Sequence, residues 1–195
     1  MTHRLCAFCV LLVLLGAVNG GAAQGVSGEP FSSLSVDAGL AMSSGLGDLD
    51  RFWESGTGAS LRFSTPFHVG SLAVGIRVLP YRPIADVPKF NGALFHASWG
   101  APVISASWFS LHLGGRLGNL RMAFDDDSQP GVRNESEFTV GGEALLRVGG
   151  SRRSGLTIGW SLERTFTKKP LDLQFLTVTY GYRFAMPEWL GGILK

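Results

Sequence analysis

An alternation of apolar and polar residues, repeated eight times, most constrains what this chain can fold into. In residues 176–184, LTVTYGYRF, the apolar positions alternate with Thr, Gly and Arg. A period of two is that of a β-strand with one apolar and one polar face. The alternating segments are residues 33–42, 60–67, 71–78, 93–99, 109–117, 138–148, 156–163 and 176–184. No segment after residue 23 has a convincing helical period, so the sequence predicts an all-β fold of eight strands.

The connections between these segments alternate in length. Counted from the first strand, the odd connections are long and the even ones are short. The long ones are residues 43–58, 80–91, 118–137 and 165–172, and the short ones are 66–70, 100–105 and 149–155. Transmembrane barrels of the bacterial outer membrane have short periplasmic turns, longer external loops and an even number of strands. A soluble all-β domain has no reason to sort its loops in this way.

The polar face of the segments indicates which side meets water. It is built from Gly, Ser, Thr and Ala with a few Arg and Glu, and none of the four Lys falls within a segment. A water-facing sheet surface usually carries Lys, whereas a narrow barrel interior favours small residues and ion pairs. A lipocalin-type soluble barrel also alternates, with its apolar face inward, and is the alternative.

Aromatic residues and strand length favour a membrane. Aromatics lie at the strand ends, where a bilayer's headgroup zone selects them: Phe31, Phe67, Trp99, Tyr182 and Phe184 at one rim, Phe138 and Phe166 at the other. The segments have 7–11 residues, close to the roughly 9–11 that a tilted strand needs to cross. Hydrocarbon offers no partner to a free backbone N–H or C=O, so the sheet must close. The prediction is a closed antiparallel up-and-down transmembrane β-barrel.

The first residues predict export. Arg4 precedes a 14-residue apolar stretch, residues 5–18, and small residues follow up to Ala23. This is the layout of a secretory signal peptide, and the stretch is shorter than the roughly 20 residues of a spanning helix. We predict a signal peptide over residues 1–23, with a retained anchor as the alternative, a barrel over residues 24–184, and a periplasmic tail over residues 185–195. Both cysteines, Cys6 and Cys9, lie in the signal, so none is left for a disulfide or metal site.

The last segment resembles the closing strand of the small OmpA/OmpX-type barrels. Residues Gly181-Tyr182-Arg183-Phe184 carry the specific part of this resemblance, with Tyr180 before them. The resemblance implies a bacterial outer-membrane protein in which Tyr180, Gly181, Tyr182 and Phe184 form the signal read by the barrel-assembly machinery. One departure is that eleven residues follow Phe184, whereas in the family the Phe usually ends the chain.

Charged residues on the polar face are expected to meet inside the barrel. Eight strands leave an interior just wide enough for side chains, so a diffusion pore is not expected. Buried charges must be paired. The predicted interior ion-pair network comprises Arg62, Arg77, Arg116, Glu143, Arg147 and Glu163. Its role is polar core filling, or else a gate or binding cavity.

One motif raises the possibility of catalysis. His96-x-Ser98 is similar to the His-x-Ser motif of the lipid A deacylase family of eight-stranded barrels. Here Trp99 stands where that family has Asn, and no acid follows within about 20 residues to orient the imidazole. The alternation also turns His96 and Ser98 inward. We therefore predict no enzyme activity, with a lipid A-modifying enzyme as the alternative.

The remaining predictions concern partners. Arg164, Lys168 and Lys169 lie near the outer rim and are expected to contact lipopolysaccharide phosphates, since a charge there costs little. The net charge of +2 is too small to imply a nucleic-acid partner, and a monomer without cofactor or metal is expected. The predicted function is envelope integrity or surface adhesion through the external loops; a soluble exported binder of apolar ligands is a further alternative.

Overall fold

The computed structural model describes residues 29–46, 49–84, 86–125, 133–149, 153–167 and 170–194. The predicted signal peptide, residues 1–23, lies outside this range, as do Lys168 and Lys169. In the described part of the chain, no helix is both long enough and apolar enough to cross a membrane.

Eight long strands form a ring. The elements in chain order are β1 Ser33–Leu46, α1 Leu49–Phe52, β2 Trp53–Ser55, β3 Gly58–Phe67, β4 Gly70–Pro83, β5 Lys89–Ser105, β6 Phe109–Asp125, β7 Arg133–Val148, β8 Ser154–Thr165, β9 Leu171–Ala185 and α2 Glu188–Leu194. Each long strand pairs antiparallel with the next one along the chain, and β9 pairs with β1 to close the ring. The three-residue β2 pairs only with the end of β4. The predicted eight-stranded closed antiparallel barrel is confirmed.

The two faces of the strands separate as predicted. On β9, Leu176, Val178 and Tyr180 point outward and are exposed, while Thr177 and Thr179 between them are buried. Successive side chains of a strand point to opposite faces of the sheet, and the same alternation runs through β8 and β5. Around the middle of the barrel the outer surface is therefore apolar, and the inner surface is polar.

Several strands are longer than predicted. β5 and β6 have 17 residues each, so much of the predicted loops 80–91 and 118–137 is strand. The predicted short connection 100–105 is also strand: β5 continues to Ser105 past an irregularity between Pro102 and Ile104. Lys89, expected in a loop, begins β5 and pairs with Asp125 at 2.8 Å. The extra length lies mainly at the end with the long connections, which we call the loop end.

The polarity of the strands inverts near the loop end. On β6, Leu117 is exposed and Arg116 is buried, but farther along the same strand Arg121 is exposed and Leu120 and Met122 are buried. The inward residues there form an apolar cluster, which we call the apolar cap. It consists of Ala41, Leu49, Leu79, Tyr81, Phe90, Leu94, Leu120, Met122, Leu173 and Phe175. Apolar side chains inside and polar ones outside are what a barrel wall surrounded by water requires.

The segment after the barrel contains a short helix. β9 ends one residue beyond Phe184, and α2 follows at Glu188–Leu194. Trp189 on this helix is 71% exposed. Two short helices, α1 and α2, are thus present where the sequence showed no helical period, because helices of four and seven residues are too short to display one.

Candidate functional site

Five of the six residues predicted for the interior network meet at the middle of the barrel. Arg62 on β3, Arg77 on β4 and Arg116 on β6 face Glu143 on β7 and Glu163 on β8. Each stands at an inward position of its strand, so closure of the ring brings five strands to one group of charges. Gly141 is paired in register with both Arg116 and Glu163, which leaves the space between these long side chains open.

Glu143 is held by two arginines. Arg62 Nη1 donates to Glu143 Oε2 at 3.0 Å, and Arg62 Nη2 lies 3.0 Å from Glu143 Oε1. The first contact is a charge-assisted hydrogen bond, and the second is an ion-pair contact without hydrogen-bond geometry. Arg116 Nη1 approaches Glu143 Oε2 at 3.3 Å, and the side chains of Glu143 and Arg116 are each only 1% exposed. Arg62 also donates to Ser98 Oγ at 3.3 Å.

Glu163 forms the second half of the network. Arg77 Nη1 donates to Glu163 Oε1 at 3.1 Å and to Ser161 Oγ at 2.8 Å, and the Ser161 hydroxyl donates to the same carboxylate at 3.2 Å. Arg116 Nε lies 3.4 Å from Glu163 Oε1, so Arg116 joins the two halves. The Arg77 guanidinium also lies 4.9 Å from the centre of the Phe175 ring, a cation–π distance. The network therefore touches the apolar cap directly.

These side chains occupy the middle of the barrel interior. Three arginines and two glutamates converge from five strands, and four of the five are buried. Charges removed from water are tolerated when they are paired in this way. The network has the character of a polar core that fixes the ring.

Arg147 does not join the network. Its Nη2 lies 3.5 Å from Asp37 Oδ2, nearer the end of the barrel that carries the short turns. Asp37 is buried against Gly181, where a Cβ atom would collide with the Asp37 carboxylate. Glycine is the residue that permits such close approach. Gly181, expected as part of an assembly signal, thus also makes room for the partner of Arg147.

The remaining residues of the expected assembly signal lie on the outside. Tyr180, Tyr182 and Phe184 all point outward from β9 and are exposed. The rings of Tyr182 and Phe184 are 4.8 Å apart. At the other rim Phe138 stacks with Phe166 at 6.1 Å. One aromatic pair thus lies at each rim of the outer apolar face.

His96 and Ser98 face the interior and not the outer surface. Both are buried, at 6% and 5% exposure, and Ser98 Oγ accepts the hydrogen bond from Arg62. A lipid-modifying site would need a nucleophile open to the lipid on the outer face. The imidazole of His112 forms a hydrogen bond with the hydroxyl of Ser110, with 3.1 Å between Nε2 and Oγ. Within the described residues, no group of three or more His, Cys, Asp or Glu could hold a metal ion.

The residues expected to meet lipopolysaccharide are only partly described. Arg164 points outward at the loop end of β8, and its Nε lies 3.5 Å from Oδ1 of Asp172 on the neighbouring strand. Both side chains are about half exposed, at 59% and 47%. Lys168 and Lys169 fall outside the described residues. Arg164 therefore has an acidic partner within the chain, which was not expected from the sequence.

The apolar cap was not predicted from the sequence. Above it lies a cavity of about 340 Å³ between the outer ends of the strands, lined by Trp53, Phe90, Met122, Phe124 and Leu171 among others. Trp53 packs edge-on against Phe90 at 5.4 Å, and Phe90 stacks on Tyr81 at 4.4 Å. The missed signal is that the alternation continues past the expected strand ends with its polarity reversed.

Comparison with known proteins shows the fold. No family model matches the chain, and no curated protein does. Among solved structures, it is similar to Neisserial surface protein A (TM-score 0.54, 18% identity, covering 78% of this chain and 96% of that one). It is also similar to Ail, the attachment invasion locus protein of Yersinia pestis (TM-score 0.52, 16% identity, covering 78% of this chain and 99% of that one). A further similar structure is OprG of Pseudomonas aeruginosa (TM-score 0.55, 11% identity, covering 82% of this chain and 99% of that one). At these identities the likeness establishes the fold alone.

Proposed function

We propose that this chain, which has the fold of the small OmpA/OmpX-type outer-membrane β-barrels, is an outer-membrane protein that acts without catalysis in envelope integrity or surface adhesion. The observation that carries the proposal is the inversion of polarity along the wall. An apolar outer belt surrounds polar groups over one part of the barrel, and polar residues surround the apolar cap beyond it. A wall that crosses a bilayer and then emerges into water needs both arrangements.

The loop end would face the exterior. The outward face turns from apolar to polar at a similar level on several strands, with Asn119 on β6, Arg164 on β8 and Gln174 on β9. The side chains of the loop end would then meet the surroundings of the cell, while the tight turns on the opposite side meet the periplasm. The similar protein of Yersinia pestis is an attachment invasion locus protein, which agrees with a surface role for this fold.

Two alternatives account less well for these observations. A lipid A-modifying enzyme needs reactive groups on the lipid-facing surface, whereas His96 and Ser98 are buried inside. A soluble lipocalin-like binder would have an apolar interior throughout, whereas charged side chains occupy the middle of this one. Analysis of lipid A from an overexpressing strain tests the enzyme, and fractionation tests the soluble binder.

The proposed orientation predicts the labelling of two single-cysteine variants. Ile84, beyond β4 at the loop end, and Val69, in the turn between β3 and β4, are both 61% exposed. In intact cells, a membrane-impermeant maleimide is expected to label Ile84→Cys but not Val69→Cys. Both should react after the envelope is disrupted. The chain without either substitution is the control for any labelling of Cys6 and Cys9. Labelling of both variants in intact cells, or of Val69→Cys alone, would contradict the orientation.

Contact with lipopolysaccharide at the loop end is a separate proposal. Arg164 is half-exposed on the outer surface, and Lys168 and Lys169 follow it in sequence. We expect the triple variant Arg164→Ala/Lys168→Ala/Lys169→Ala to co-purify with less lipopolysaccharide, because guanidinium and ammonium groups bind phosphate. Arg51→Ala/Arg82→Ala/Arg121→Ala, which removes three exposed cations from other positions of the loop end, is the control for loss of positive charge. A lipopolysaccharide content of the Arg164 triple variant equal to that of the unsubstituted chain would rule the contact out.

A further inference from the structure

The cavity above the apolar cap, which we call the loop-end cavity, has the size and lining of a small-molecule site. Its volume of about 340 Å³ lies within the roughly 300–1,000 Å³ typical of such sites, which are mostly apolar with a few polar groups. Most of its lining side chains are apolar, and they include four aromatic rings together with the carboxylate of Glu135.

The four aromatic residues contact one another in turn around the cavity. The ring centres of Phe52 and Trp53 are 5.8 Å apart, those of Trp53 and Phe90 are 5.4 Å apart, and those of Phe90 and Phe124 are 5.1 Å apart. The planes of these pairs are inclined at 57°, 83° and 43°, so the rings do not stack face to face. Inclined rings enclose a space on several sides, and the π face of an aromatic ring attracts a cation.

This aromatic wall is held in place by further contacts. The indole N–H of Trp53 donates to the carbonyl of Pro88 at 2.8 Å, which uses the one donor of that side chain. The other anchored ring is that of Phe90, which stacks on Tyr81 with ring centres 4.4 Å apart and planes only 8° apart. The wall is therefore formed before a ligand binds, which lowers the cost of ordering side chains on binding.

The charge beside the aromatic wall is negative. Glu135 on β7 is paired in register with Met122 on β6, a buried residue of the apolar cap. Glu137 follows on the same face of β7 and is paired with Leu120, another residue of the cap. Among the lining side chains that the structure describes, Glu135 is the only charged one. A carboxylate next to aromatic rings attracts a cation and disfavours an anion.

We propose that the loop-end cavity binds a small organic cation that carries a quaternary ammonium group. The aromatic rings contact the methyl groups of this cation, and the carboxylate of Glu135 balances its charge. A metal ion or a primary ammonium group is a poorer ligand, because apolar walls cannot replace the hydrogen bonds or water ligands that it loses on entry. Binding at this cavity does not depend on the proposed membrane orientation.

The test compares choline with its neutral analogue, in which a tert-butyl group replaces the trimethylammonium group. Each probe is titrated into the full chain in a maltoside detergent, since phosphocholine detergents carry the very group under test, and ligand-observed NMR measures the binding. Choline is expected to bind at least about fivefold more tightly than the neutral analogue, because the two have the same shape and only choline gains the cation–π attraction.

Two variants separate the rings from the charge. Phe52→Leu keeps an apolar side chain at a position that is 41% exposed, and is expected to weaken choline binding about three- to tenfold while leaving the neutral analogue unaffected. Glu135→Gln is expected to weaken choline binding about two- to fivefold, since water screens an exposed carboxylate. Phe95→Leu and Glu188→Gln make the same changes at exposed positions outside the cavity, and should bind choline as the unsubstituted chain does.

Preference for choline over the neutral analogue, weakened by Phe52→Leu and by Glu135→Gln relative to their controls, supports the proposal. It is overturned if choline does not bind, if the neutral analogue binds as tightly, or if either cavity variant binds choline as tightly as its control. Heat-dependent gel mobility verifies that each sample is folded. Phe124→Leu removes another ring of the wall and takes the place of Phe52→Leu should that variant not fold.

Discussion

Glu143→Gln is expected to lower the free energy of unfolding by about 3–5 kcal/mol, the range for removing one partner of a buried ion pair. Gln has nearly the same shape as Glu, so the change removes the charge and leaves the packing. Arg62 and Arg116 both lose their contact with the Glu143 carboxylate, and Glu163 remains as the single acid beside three arginines. The measurement is urea unfolding of the barrel in detergent or vesicles, followed by tryptophan fluorescence.

Two further variants decide whether the charge is responsible. Glu135→Gln makes the same chemical change at an exposed position of β7, where surface substitutions usually stay within about 0.5 kcal/mol. Arg62→Gln/Glu143→Gln removes one charge of each sign and should recover part of the loss, because the balance of charge inside the barrel returns to its original value. If Glu143→Gln and Glu135→Gln unfold at the same urea concentration, the network contributes nothing to stability.

The architecture of the middle of the barrel could be predicted from the sequence. An alternation of period two specifies which residues point inward, and ring closure then forces inward charges from different strands together. This is why Arg116 and Glu163 could be placed in one network without knowledge of the register. The partner of each charge could not be assigned in the same way. Arg147 pairs with Asp37 because β7 and β1 bring them to the same level near the turns, and the sequence contains no signal for that level.

The strands extend farther at the loop end than the sequence predicts, and the reason is physical. Alternation with apolar outward residues predicts that β6 ends near Gly118. Beyond that point Asn119 and Arg121 point outward, and Leu120 and Met122 point inward. The period is unchanged, but the outward face turns from apolar to polar, as expected if the wall passes from hydrocarbon into water, which is the orientation proposed above. A search for alternation of either polarity would have extended the strands and found the apolar cap.

The ion-pair network and the apolar cap form one continuous core. Phe175 belongs to the cap and lies beneath the guanidinium of Arg77, which in turn holds Glu163. Leu173 follows on the same inward face of β9 and is 1% exposed. Because the two parts are in contact, loss of packing in the cap is expected to act on the whole barrel and not only on its loop end.

Leu173→Ala is therefore expected to cost about 2–5 kcal/mol of unfolding free energy, the range for truncating a buried leucine, which includes the cavity left behind. The matched control is Ile84→Ala, since Ile84 is 61% exposed beyond the end of β4 and its truncation should change stability by less than about 0.5 kcal/mol. Urea unfolding monitored by tryptophan fluorescence compares the two variants. If the cap packs as a core, Leu173→Ala unfolds at a lower urea concentration than Ile84→Ala. Only the truncation of Leu173 leaves a void among Phe175 and its neighbours. Equal unfolding midpoints would mean that the loop end is loosely packed, and that stability depends on the apolar outer belt and the ion pairs alone.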